Sequence, residues 1–438
     1  MSLTQSQFDA HWMPFSSNRE FKNNPRIFTS ASGHYFTDDK GRKIYDSLSG
    51  LWTCGLGHNV MEINDAISKQ LKTLDYAPGF QFGHAKSFEL AERILEIMPN
   101  GLDKVFFTTG GSDAVESALK IARGYWRKKG QASKTRFVGR MKGYHGVNYG
   151  GISVGGIVGN RSLFGQGLET DHLSHTMQTA GTFNKGQPEN GASLANELLD
   201  IIALHDSSTI AAVIVEPVAG SAGVIPPPAG YLERLKEICV EHDILLIFDE
   251  VICAFGRMGA YSAAEAFGVT PDLMTTAKQI TNGVFPLGAV LARQEIYDCY
   301  MSNSGAESAI ELPHGYTYSA HPIGCAAALA TLDYIQSNNV ISQVEALSSE
   351  FESKVHSLAN LNSILDIRNY GLAAGLTIDS SGRMPTDRPY EIAMKMWEKG
   401  FYTRFGGDTI QLGIPFMSSS DEIDSLVNAL GESIEQVN

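Results

Sequence analysis

The sequence predicts an α/β fold with a mostly parallel central sheet, and three observations carry that prediction. Five short runs are almost continuously apolar: Val105–Thr109, Arg136–Gly139, Ala211–Pro217, Ile244–Asp249 and Gly288–Ala292. Strands read this way when helices cover both faces of their sheet. Helical patterns lie between the runs. A chain of 438 residues is also too long for one simple core, so a second, smaller unit is expected.

In chain order, Phe28 to Asp46 reads as a hairpin that turns at Thr37–Gly41. The strand at Val105 leads into a helix with Val115, Ala118, Leu119, Ala122 and Trp126 on one face. Ser112 and Asp113 suit its start; Lys128, Lys129 and Gly130 suit its end. Strands and helices alternate to about residue 320. An Ala-rich helix then opens near Cys325 and leads into an α+β region. The expected division is a large domain over 61–322 and a small α+β domain built from both chain ends, 1–60 and 323–438.

Bulk properties exclude some functions. A formal charge of −14 argues against a nucleic-acid surface. No apolar run reaches membrane-spanning length, and Met1-Ser-Leu-Thr-Gln-Ser-Gln has no signal-peptide pattern. Cys54, Cys239, Cys253, Cys299 and Cys325 are scattered without a CxxC, which reads as reduced thiols of a cytoplasmic protein and no metal site.

The chemistry starts from a pair. Asp249 ends the run Ile244-Leu-Leu-Ile-Phe-Asp, where burying a carboxylate is costly unless it has a partner. Lys278 lies downstream among Thr275, Thr276, Ala277, Thr281, Asn282 and Gly283, where dehydration favours a neutral, nucleophilic amine. A carboxylate that keeps a pyridine nitrogen protonated and a lysine that bonds an aldehyde are the two groups pyridoxal 5′-phosphate (PLP) chemistry needs. A metal ligand or a structural Asp would also suit position 249.

Other motifs are weaker alone. Thr108-Thr-Gly-Gly-Ser112 joins a strand to a helix, and its glycines, free N–H groups and hydroxyl suit a phosphate; it is also a plain turn. Tyr144, in Lys142-Gly-Tyr-His-Gly, suits stacking on a flat cofactor or a place in the core. Glu216 follows a strand, where open α/β sheets bind ligands, or it is a capping or ion-paired residue. Arg404 sits among apolar and glycine residues, and its fork suits a substrate carboxylate, Asp379 or Asp408. Neither a GxxxxGK[ST] loop nor a GxGxxG helix start is present.

Together these residues resemble the class III aminotransferases of fold type I, on the ω-amino acid–pyruvate (β-alanine–pyruvate) branch. The resemblance runs through His11-Trp-Met-Pro-Phe15, Gly50-Leu-Trp52, Gly143-Tyr-His-Gly, Ile214-Val-Glu-Pro-Val-Ala-Gly, Leu245-Leu-Ile-Phe-Asp-Glu-Val, Thr276-Ala-Lys and His314-Gly-Tyr-Thr-Tyr-Ser. It implies a ping-pong transfer of an amino group from an ω-amino acid or primary amine to a 2-oxo acid such as pyruvate, through a Lys278 Schiff base.

The roles it implies are these. Asp249 pairs with the pyridine nitrogen, and Tyr144 and Val251 sandwich the ring. Gly111 and Ser112 bind the phosphate, with Thr317 of a second subunit, so a homodimer or a tetramer is expected. His145 and Glu216 complete the cofactor site. Arg404, Phe15, Leu51, Trp52 and Tyr144 shape the substrate site. An aminomutase, a decarboxylating transaminase or a non-catalytic relative shares these motifs.

Some positions depart from the branch. Thr109-Gly-Gly-Ser-Asp113 replaces Asn-Ser-Gly-Ser-Glu, Cys253-Ala254 replaces Thr-Gly, and Gln279-Ile280 replaces Gly-Leu. Gln279 is therefore expected to alter the pocket beside Lys278. Ser221 stands where ornithine- and GABA-type relatives carry a Glu that pairs with the gate arginine, which favours the pyruvate-using branch.

Overall fold

The computed structural model describes residues 3–177, 182–302 and 305–437. Its central element is a seven-stranded sheet. In spatial order the strands are Lys104–Thr108, Gly288–Ala292, Leu273–Thr276, Leu245–Asp249, Ile210–Val215, Arg136–Arg140 and Thr170–Leu173. Neighbours are parallel from Leu273–Thr276 to Thr170–Leu173; Gly288–Ala292 alone runs antiparallel to both its neighbours. The strands Ile210–Val215, Leu245–Asp249 and Gly288–Ala292 are buried at every position, as their continuous apolar character requires.

The helix Gly111–Lys128 covers one face and buries Val115, Ala118, Leu119, Ala122 and Trp126, the stripe expected from spacing. The Ala-rich helix Pro322–Ser337 packs on Met61–Thr73 and Ala85–Ile97, with Pro322 in its first turn.

Two smaller sheets complete the fold. Phe28–Ser32, Tyr35–Asp38 and Lys43–Asp46 form a three-strand meander where a hairpin is expected, because Gly33, at φ +55, makes a second tight turn. Phe401–Tyr402 pairs in parallel with Tyr45 and Asp46, so the two chain ends share a sheet. Ile364–Tyr370, Ala373–Ile378, Thr409–Leu412 and Arg404–Gly406 form the other sheet. Among the described residues no helix is long and apolar enough to cross a membrane.

Candidate active site

Strand ends of the large sheet converge on a cavity of about 320 Å³. Gly111, Ser112, Tyr144, His145, Glu216, Asp249, Val251 and Lys278 all line it. These are eight of the residues singled out from sequence, brought together from five separate stretches of chain.

Asp249 is buried at the end of its strand. Its Oδ1 accepts from the Val251 amide (3.2 Å) and the Thr275 hydroxyl (3.1 Å). Its Oδ2 accepts from His145 Nδ1 at 2.8 Å. His145 is itself buried, and its Nε2 has no partner among the described residues. A carboxylate held from three sides keeps its place without a bound group.

Glu216 follows the neighbouring strand. Its Oε1 accepts from the Tyr144 amide at 2.8 Å and its Oε2 from the Gly220 amide at 3.1 Å. Burial pushes its carboxyl pKa up, and the charge of Asp249 adds to this. Arg140, buried below, donates to the Glu216 carbonyl at 2.6 Å.

Lys278 opens a short turn after the strand Leu273–Thr276 and has φ +53, a left-handed value that a side chain adopts only under constraint. Burial lowers its amine to about 8; Asp249 and Glu216 oppose that shift, and Arg404 adds to it. An amine in this range is largely neutral at mildly alkaline pH and nucleophilic.

The helix Gly111–Lys128 points its N-terminus at the cavity, with free first-turn N–H groups and the positive dipole end. A Cβ on Gly111 would lie 2.9 Å from Val251 Cγ1, so only glycine lets the helix start and Val251 share this space. Gly146, at φ +89, packs so closely that a Cβ would lie 2.5 Å from Ser112 Oγ. Ser112 Oγ accepts from the Val147 amide at 3.2 Å, which joins the Tyr144 turn to the helix start.

Five expected site residues lie outside this lining. Arg404 is half-buried on the strand Arg404–Gly406, and its guanidinium makes no ion pair or hydrogen bond among the described residues. The two alternative partners are occupied elsewhere, Asp379 by Ser381 and Arg388, Asp408 by Thr409. Trp52 is buried beside Val218 and Ile252, with the Arg257 guanidinium 5.7 Å from its ring. Phe15 and Leu51 are exposed. So is Thr317, whose carbonyl accepts from Tyr76 Oη at 3.0 Å.

Gln279, expected to alter the pocket beside Lys278, does not itself line the cavity: its amide turns away and accepts from the Gly55 N–H at 2.6 Å. A residue next to the reactive lysine in sequence points the opposite way because Lys278 and Gln279 open a tight 3-10 turn. Sequence reasoning also missed Thr53, Phe285, Pro286 and Leu287 in the lining. Their nearness to Trp52 and Lys278 in the chain is the available signal, and no periodicity marks them. Among the described residues no cluster of three His, Cys, Asp or Glu could hold a metal.

Comparison with known proteins accords with this geometry. The family model described as aminotransferase class-III matches residues 16–434. The β-alanine–pyruvate aminotransferase of Pseudomonas aeruginosa is 56% identical over 429 residues, 98% of this chain and 96% of that protein. The ω-amino acid–pyruvate aminotransferase of Pseudomonas putida is 52% identical over 436 residues, 99% and 97% of the two chains. An amine transaminase from an uncultivated Pseudomonas species, solved in its PLP-bound form, superposes with a TM-score of 0.89 at 35% identity, covering 98% and 99%. The chain belongs to the class III aminotransferases, with the fold of the ω-transaminases.

The residues fit PLP. A held carboxylate suits a pyridinium N–H, a dehydrated lysine suits the aldehyde, and a helix N-terminus suits the phosphate. The gap left by Gly111, with Val251 on one wall and Tyr144 also in the lining, suits a flat ring.

Proposed function

We propose that this aminotransferase moves the amino group of an ω-amino acid or another primary amine to pyruvate, releasing alanine and an aldehyde or ketone. The observation that carries this reading is Lys278, its amine lowered to about 8, sharing one cavity with a held Asp249. The relatives more than half identical to the chain, named for pyruvate, support the acceptor.

Bound PLP supplies a carbonyl that takes up the amino group and a ring that spreads developing negative charge. The protein does the rest. Asp249 would keep a proton on the ring nitrogen, and His145 keeps Asp249 aimed. Gly111 and Ser112 would hold the phosphate. Tyr144 and Val251 would confine the ring, and Glu216 would support its phenolic oxygen. Lys278 Nζ takes a proton from the donor's amine-bearing carbon and returns one to the acceptor's carbon in the second half of the cycle. The two halves use one site in turn, which is a ping-pong cycle.

Arg404 holds the carboxylate of the 2-oxo acid. Its lack of an internal partner supports that role, since a half-buried guanidinium with an open fork is ready for an anion. Trp52, Leu51 and Phe15 bound the substrate side. The exposure of Thr317, Phe15 and Leu51 on a single chain supports a homodimer in which a second copy brings Thr317 to the phosphate. The strand pairing of Tyr45 with Phe401 supports the reading of both chain ends, 1–60 and 323–438, as one small domain beside 61–322. The scattered free thiols fit a cytoplasmic enzyme.

The test is a donor panel of β-alanine, 4-aminobutyrate, a diamine and an aryl-alkyl amine, each with pyruvate. Free alanine should appear with at least one donor and only when PLP is present. No alanine from any donor would refute the assignment.

A further inference from the structure

The turn that carries Lys278 is latched from behind. Gln279 and Asn282 are both buried, and neither lines the cavity. Gln279 Oε1 accepts from the Gly55 amide at 2.6 Å, and its Nε2 donates to Asn282 Oδ1 at 3.2 Å. Asn282 Oδ1 also accepts from the Leu56 amide at 3.0 Å, and its Nδ2 donates to the Gly57 carbonyl at 2.8 Å. Two amide side chains thus satisfy three successive backbone positions of a distant segment.

The contact is tight. A Cβ on Gly55 would lie 2.7 Å from Gln279 Oε1. A Cβ on Gly283 would lie 2.9 Å from both Thr53 Oγ1 and Cys54 Sγ. Both partners of the latch are conformationally unusual. Lys278 and Asn282 have φ +53 and +49; Ser49, Gly50 and Trp52 have +49, +67 and +66. Such backbone persists only where its surroundings hold it. Thr53 lines the cavity beside Lys278, and Leu51 and Trp52 precede it.

We infer that Gln279 is a positioning residue: it sets the spacing between the reactive-lysine turn and the 49–57 segment, and through that spacing the size of amine donor the site accepts. This rests on the transaminase reading above. The Gln279 side chain does not line the cavity, so its loss acts on the far wall and leaves the lysine's own chemistry in place. Without the Gln279 acceptor, the Gly55 N–H is buried and unsatisfied, which frees the segment to move.

Two variants of the full-length protein with PLP test this. Gln279→Met keeps the length and removes the acceptor; Gln279→Glu keeps the acceptor for Gly55. In Gln279→Met the visible absorbance of bound PLP should persist, and amide hydrogen exchange across 49–57 should quicken about tenfold or more. The ratio of kcat/KM for β-alanine to that for an aryl-alkyl amine should shift at least about fivefold, mainly through KM. Gln279→Glu should lie nearer wild type on both readouts. Wild-type exchange and a wild-type donor ratio in Gln279→Met would overturn the inference. So would an equal fall in kcat for every donor, or lost absorbance, since either would place Gln279 in the lysine's own chemistry. Wild-type protein without the absorbance would sink the transaminase reading and this inference with it.

Discussion

On the sheet side of the cavity every acid has its partners before any ligand arrives. Asp249 accepts three hydrogen bonds and Glu216 two, from residues on strand ends and the turns that follow them. On the other side, the Arg404 guanidinium has no partner among the described residues, Leu51 and Phe15 lie open, and the 49–57 segment meets the Lys278 turn through amide side-chain hydrogen bonds. The first side is preorganised by the rigid part of the fold, and in the proposed cycle it performs the step common to all donors. The second is assembled from loops, the strand that carries Arg404 and, by proposal, a second subunit, and in the same reading it discriminates among substrates. Rigid elements hold catalytic geometry better than loops do, while loops vary more freely.

This contrast can be broken at the sheet side first. Asp249→Asn keeps the shape and removes the charge that holds the ring nitrogen protonated. Turnover should fall by about 10²-fold or more with every donor. The folded structure, followed by circular dichroism, should stay intact. A loss confined to some donors would move Asp249 to the substrate side.

On the other side, Arg404→Ala should raise KM for pyruvate by roughly 10- to 100-fold, the worth of a charge-assisted bidentate pair. Absorbance of bound PLP should not change. If steady-state kinetics showed the loss in kcat alone, Arg404 would act on chemistry and not on binding.

A smaller effect concerns stability. Asp46 Oδ2 accepts from the Gly50 amide at 2.6 Å and from His58 Nε2 at 2.8 Å, which braces the kinked Ser49–Trp52 turn. Burial lowers the His58 pKa, but its hydrogen bonds to Asp46 and Cys54, together with the charges of those two groups, outweigh this and raise it to about 9. A raised folded value means the stabilisation is complete below the ordinary value of 6.5 and fades as pH climbs through about 9. His58→Gln should therefore cost about 2 kcal/mol near pH 6 and much less at pH 10, by denaturant titration. A cost independent of pH would show that the ion pair is not what braces the turn.

The two sides also differ in how legible they are from sequence. The strands ending at Thr108, Val215 and Asp249 announce themselves by unbroken apolar runs, and a polar residue at such an end is conspicuous. That is why Gly111, Ser112, Glu216 and Asp249 could be named, and why the cavity gathers them. The strands Thr170–Leu173 and Leu273–Thr276 escaped because they are short and carry polar residues. Gln279 lies outside the lining although it follows Lys278, because neighbours in sequence diverge around a tight turn. The positions of Thr53 and Phe285 depend on contacts between distant segments, which local pattern does not encode.

The central claim is that Lys278 is the amine that bonds PLP. Protein loaded with PLP and reduced with borohydride should carry the label on the single peptide that contains Lys278, and Lys278→Ala should take up no label and lose turnover by at least about 10³-fold. Label on another lysine, or an undiminished absorbance band in Lys278→Ala, would contradict the account.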